Sequence, residues 1–90
     1  MVQIELKPTF STCVETLSKK EYERTLRLLL KRGPADERLA ERLEILRLFL
    51  ESADFASIRS QYEGYLTEGK QVTLLIFTEE GRAVYKLLIE

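Results

Sequence analysis

Apolar and polar residues alternate from the first positions of the chain: Val2, Ile4 and Leu6 are separated by Gln3, Glu5 and Lys7. A period of two belongs to a strand with one face buried, so the chain opens on a β-strand. Pro8 has no N–H to give to a ladder and should stop this strand or hold it at a sheet edge. Thr9 to Leu17 has no clear period. Its apolar points, Phe10, Cys13, Val14 and Leu17, suit a second strand, a loop or an early helical turn.

From Ser18 the period becomes that of a helix. Ser18 and Glu21 have the spacing of a capping box, and Leu17 and Tyr22 stand where a hydrophobic staple would close it. Tyr22, Leu26, Leu29 and Leu30 then share one face, with Lys19, Lys20, Glu23, Arg24 and Arg27 turned outward. Lys31 and Arg32 suit the negative end of the helix dipole, and Gly33-Pro34 supplies a left-handed cap and then a breaker.

A second helix from Pro34 or Asp36 to about Ala53 carries a stripe of Leu39, Leu43, Leu46 and Leu50. Ile45, Leu48 and Phe49 make its last turns apolar almost all round, so it must be covered on more than one side. Asp54 caps a third helix with Phe55, Ile58, Tyr62, Tyr65 and Leu66 on one face and Gly69 at its end. Gly64 inside that helix costs about 1 kcal/mol against alanine, which suggests a close helix contact or a bend.

Two strands follow, Val72 to Thr78 and Arg82 to Ile89, joined through Glu79-Glu80-Gly81. A three-residue loop with Gly81 in the left-handed region pairs Thr78 with Arg82. Leu75, Phe77, Ala83, Tyr85, Leu87 and Ile89 then share one face. A slip by one residue brings Val72, Leu74 and Ile76 to that face instead. Both registers leave large apolar residues on both faces of the hairpin.

The order of strand, three helices and hairpin predicts an α+β fold: a small antiparallel or mixed sheet with helices packed on one face. Ninety residues allow one domain, residues 1–90. The expected core is Leu26, Leu29, Leu30, Leu39, Leu43, Leu46, Leu50, Phe55, Ile58, Tyr62, Leu74, Ile76, Tyr85, Leu87 and Ile89.

Charge and chemistry narrow the functional classes. Fourteen basic residues against fifteen acidic ones leave no overall field to attract nucleic acid or an anionic membrane. The start of the chain does not read as a signal peptide, and its longest apolar runs are too short to span a bilayer. One cysteine forms no intramolecular disulfide, so a cytoplasmic, reduced setting is expected.

The chain has no histidine, which removes the commonest general base, a common zinc ligand and every Ser-His or Cys-His pair. No glycine-rich phosphate loop is present. Glu79-Glu80 is the nearest approach to a metal site and reads as a solvated hairpin tip. Glu37, Glu41 and Glu44 read as helical partners of Arg38, Arg42 and Arg47. Cys13 is a candidate nucleophile if Lys19, Lys20 or a helix N-terminus lowers its pKa, but a small buried hydrophobe is the preferred reading. No enzymatic activity and no cofactor are expected.

What remains is a non-catalytic interaction or regulatory module that meets a protein partner or a second copy of itself. The candidate interface is the surplus apolar face of the hairpin, drawn from Leu74, Leu75, Ile76, Phe77, Val84 and Leu88. The alternative is a winged-helix-like DNA-binding domain built on helix 54–68 and hairpin 71–89. Its candidate contacts are Ser57, Arg59, Ser60, Gln61 and Arg82, although Asp54, Glu63, Glu68 and an acidic tip oppose a phosphate backbone. A third reading is a ligand pocket between sheet and third helix with Tyr62 or Tyr65 at its mouth.

Overall fold

A computed structural model describes residues 2–33 and 35–90. The elements run β1 (Ile4–Leu6), α1 (Val14–Arg32), α2 (Glu37–Ser52), α3 (Phe55–Thr67), β2 (Val72–Glu79) and β3 (Arg82–Ile89). This is the expected α+β fold. Its sheet is antiparallel throughout, in the order β1-β2-β3, so the first strand returns to the hairpin across three intervening helices.

The ends of α2 and α3 follow local rules. Asp36 accepts the Leu39 N–H at 3.1 Å, and Asp54 accepts the Ser57 N–H at the same distance. Past the end of α3, Gly69 has φ 80°. There the Lys70 N–H donates to the Tyr65 carbonyl and the Gly69 N–H to that of Leu66, the paired bonds of a Schellman motif. Gly33 ends α1 at φ 88° with its N–H on the Leu29 carbonyl. The breaker assigned to Pro34 lies outside the described residues.

The start of α1 differs from the capping-box reading. The helix begins at Val14, with Cys13 in the N-cap position, and Ser18 lies a full turn inside it. The Ser18 hydroxyl is buried and donates to the Val14 carbonyl at 2.8 Å. The Val14 N–H, which has no partner within the helix, donates to the Tyr62 hydroxyl of α3 at 3.3 Å. A tertiary contact therefore satisfies a donor that a local cap would otherwise serve.

The hairpin register also differs. Glu79 pairs with Arg82, so the turn has two residues, Glu80 at φ 53° and Gly81 at φ 77°. Positive φ at both central residues matches the twist of the flanking strands. Val72, Leu74 and Ile76 thus share a face with Ala83, Tyr85, Leu87 and Ile89. On β1, Ile4 and Leu6 lie opposite Ile76 and Leu74 and join the same face.

All three helices pack against that face. Ile4, Leu6, Val72, Leu74 and Ile76 from the sheet meet Val14 of α1, Ile45, Leu46 and Phe49 of α2, and Ile58 and Tyr62 of α3. Phe49 stands edge-on to Phe55 and Tyr85, which ties α2 to α3 and to β3.

Leu30 is not part of this core, being 76% exposed, and Leu26 and Leu29 are only half-buried. Val14, Ser18 and Thr25 form the buried stripe of α1 in their place. They fall at i, i+4 and i+11 of one face, and two of the three are small polar residues with no hydrophobic signal. Gly64 has nothing within 4 Å of the point where a Cβ would stand, so no close helix contact explains it.

Candidate functional site

A three-stranded sheet with helices on one side has a second side, and here it is apolar. Thr73, Leu75 and Phe77 alternate with the core residues of β2, and Val84, Lys86 and Leu88 alternate with those of β3. Glu5 lies beside Leu75 on the same face. None of Leu75, Phe77, Val84 and Leu88 packs into the hydrophobic core. Leu88 is 44% exposed, and the other three are screened only in part.

Of the six candidate interface residues, Leu74 and Ile76 are removed by burial, both being 0% exposed beneath the helices. The shortened turn assigns them inward and turns Leu75 and Phe77 outward, where they meet Val84 and Leu88. At one end of the sheet Lys7, Thr9 and Phe10 border a cleft with Leu66, Lys70, Val72 and Thr73, so this segment reaches Thr73 of the outer face, and the cleft includes none of Leu75, Phe77, Val84 and Leu88. Those four keep part of their surface in solvent.

The candidate DNA contacts are exposed but in part engaged. Arg59 pairs with Glu63 at 3.4 Å, the Ser60 hydroxyl donates to the Ala56 carbonyl, and Gln61 accepts from the Tyr85 hydroxyl at 3.1 Å. Arg82 borders a cleft with Leu48, Glu51, Ser52 and Ala83 at the end of α2, and the adjoining cleft, which shares Ser52 and Ala83, includes Ser57 and Tyr85.

A second local feature was underweighted in the sequence. Cys13 is not a buried hydrophobe but the half-exposed N-cap of α1. Its Sγ lies 3.4 Å from the Thr16 hydroxyl, and this hydrogen bond, followed by the Thr16 and Glu15 N–H groups, holds its pKa below the usual thiol range against partial desolvation. Cys13 borders a cleft of about 260 Å³ with Glu15, Phe55, Arg59 and Tyr62. The Tyr62 hydroxyl is occupied by the Val14 N–H, and burial pushes its pKa up. Glu15, the carboxylate of this cleft, pairs with Lys19 at 3.6 Å. Tyr65 lies outside it, 39% exposed, with the Lys70 ammonium over its ring.

Of the helical carboxylates Glu37, Glu41 and Glu44, only Glu44 meets its arginine; among the described residues Glu37, Glu41 and Arg38 take part in no ion pair. Arg47 bridges Glu44 and Glu51 along α2, and its hydrogen bond holds the Glu44 carboxyl below its ordinary pKa. Arg42 instead crosses to Glu21 of α1 at 3.4 Å, where Arg24 also binds. Among the described residues no group of three acidic or cysteine side chains converges on a metal position. Among the described residues no helix is long and apolar enough to cross a membrane.

A protein-family profile matches residues 1–89, nearly the whole chain. The chain belongs to that family. An uncharacterized protein of Archaeoglobus fulgidus is 45% identical over 49 residues, a stretch covering 52% of this chain and 58% of the relative. The chain therefore matches somewhat over half the length of that relative. No solved structure matches.

Proposed function

We propose that this chain is a non-catalytic protein-interaction module that docks through the outer face of its sheet. One observation carries the reading. Along β2, residues facing the helices are fully buried, while their immediate neighbours Leu75 and Phe77 join Val84 and Leu88 on the other face and keep part of their surface in solvent. Contiguous apolar surface of this kind is what partners bury. The reading places the module in a reduced, cytoplasmic setting, where a lone Cys13 stays a thiol.

Affinity capture from an extract of the source cells tests this with two baits, the wild type and the Leu75→Ser/Phe77→Ser variant. Proteins held by the first and lost by the second, a copy of the chain included, support the docking face. Equal retention by both baits overturns it, provided circular dichroism shows the variant folded. The winged-helix alternative draws less from the geometry, since Arg59 is paired with Glu63 and the hairpin tip carries Glu79 and Glu80. Duplex DNA titrated at two salt concentrations tests it, and micromolar affinity with a steep salt dependence would favour it.

A further inference from the structure

Resting on the reading of the outer face as a docking surface, we infer that its occupant is a second copy of this chain, stacked face to face about a two-fold axis parallel to the strands. The register supplies the argument. Glu5 on β1, Leu75 on β2 and Lys86 on β3 lie in one row across the sheet, so a leucine is flanked by a negative charge toward one edge and a positive charge toward the other. Both charged residues are exposed, and among the described residues neither takes part in an ion pair.

Rotation by 180° about an axis above β2 and along it sets the second copy's β1 over β3 and its β3 over β1. Glu5 then faces Lys86 of the second copy, and Lys86 faces Glu5 of the second copy. Leu75 meets Leu75 and Phe77 meets Phe77 along the axis; Glu79, next on that face, meets its own counterpart at the hairpin end, with Arg82 of each copy beside the pair. Stacked sheets lie about 10 Å apart, a gap that these side chains fill, with strands inclined by about 30°.

Other two-fold arrangements fail on charge. An axis across the strands stacks Glu5 on Glu5 and Lys86 on Lys86. Pairing β3 edge to edge about Lys86 brings it beside its own counterpart and about Tyr85 sets it opposite Val84, and a lysine on such an edge is a usual guard against pairing. Only the stacked arrangement along the strands turns the row of Glu5, Leu75 and Lys86 into a self-complementary surface, as an isologous interface requires.

The area sets the strength. Three strands about 4.8 Å apart, with the longer two rising about 3.3 Å per residue over eight residues, make a face of roughly 14 by 26 Å. Two such faces, narrower where β1 spans only three residues, bury roughly 600–700 Å² in projection, short of a standard interface, which predicts a weak dimer that forms only at high micromolar concentration and above.

Size exclusion coupled to light scattering, run from low micromolar to sub-millimolar protein, is the test. The wild type should move from the 10.5 kDa of one chain toward twice that mass. Glu5→Lys and Lys86→Glu should each raise the dissociation constant by at least about tenfold, and the double exchange should restore it to within about threefold of wild type. Urea midpoints of the three variants, measured at low concentration, confirm that they fold.

A single-chain mass for the wild type throughout overturns the second copy. So does a single variant that associates as the wild type does, and so does a double exchange that fails to restore what the single exchanges lose. If the wild type stays single but capture of another protein still depends on Leu75 and Phe77, the docking face stands and its occupant is a different chain. If capture is also indifferent to those residues, the docking reading falls with it.

Discussion

Alanine at Leu74 and alanine at Leu75 should behave as substitutions in two different environments, although the residues adjoin. Leu74 is 0% exposed, lies between Leu6 and Leu87 in the ladder, and belongs to the core. Truncating a leucine so placed costs about 2–5 kcal/mol, from lost burial and from the cavity left behind. Leu75 sits between Glu5 and Lys86 on the open face, and its truncation should cost less than about 1 kcal/mol in the single chain. A domain of this length has a total stability on the order of 5–10 kcal/mol. With a urea slope of about 1 kcal/mol per molar, the midpoint should fall by about 2–5 M for Leu74→Ala and by less than about 1 M for Leu75→Ala. If Leu74→Ala proves too unstable to titrate, Leu74→Val should give the same ordering at smaller size. The measurement belongs at low protein concentration, because association would stabilise the wild type by mass action and add to the apparent cost at Leu75. A Leu75 variant as damaged as its neighbour, or more so, would refute the register and return Leu75 and Phe77 to the inner face.

The other expectations are smaller in scale. Gly64→Ala should stabilise by about 0.5–1 kcal/mol, since a helical position with open space gains propensity and meets no clash; an unchanged or lower melting temperature would contradict it. Asp54→Ala should cost about 0.5–2 kcal/mol through loss of the bond to the Ser57 N–H. Ser18→Ala should change stability by less than about 1 kcal/mol, because it removes an internal hydroxyl bond and not a cap, while alanine favours the helix. Equal losses at the two positions in urea would restore the capping box. Cys13 should react with iodoacetamide with a pH midpoint below that of the same thiol in the urea-unfolded chain, and Thr16→Val should raise it; coincident midpoints would remove the assigned cause. The folded value is the depressed one, so this thiolate's stabilising contribution is complete above the unfolded pKa and is lost as pH falls through the folded one.

Where a bond is local, the residues announced it. Asp36 and Asp54 each stand three residues before the N–H they accept, Gly33 follows α1 directly and Gly69 follows α3 after Glu68. The start of α1 could not be read that way, because the group that meets the Val14 N–H is a hydroxyl 48 residues along the chain. The polar stripe of Ser18 and Thr25 was hidden for a related reason. A small hydroxyl side chain can be buried once its proton reaches a backbone carbonyl, as Ser18 does, but it adds nothing to a hydrophobic period.

By itself the sequence determined the element order, the α+β class, the covered face of α3 and the absence of histidine chemistry, because periodicity, caps and composition are properties of neighbouring residues. On α2 the stripe of Leu39, Leu43, Leu46 and Leu50 gave way to Leu39, Ile45, Leu46 and Phe49. The tertiary structure decided which face of β2 became the core. Glu-Gly is not the Asn-Gly or Asp-Gly signal of a two-residue turn, and local preference pointed to a longer loop with glycine alone in the left-handed region. The fold instead holds Glu80 at φ 53°, at a cost of about 1–2 kcal/mol. In return Val72, Leu74 and Ile76 lie under the helices where the other register would bury Leu75 and Phe77, and each fully buried aliphatic side chain contributes about 1.5–3 kcal/mol. That balance involves α2, α3 and β1 together. No stretch of residues 72–89 contains it, and the same choice turned Leu75, Phe77, Val84 and Leu88 to the outside.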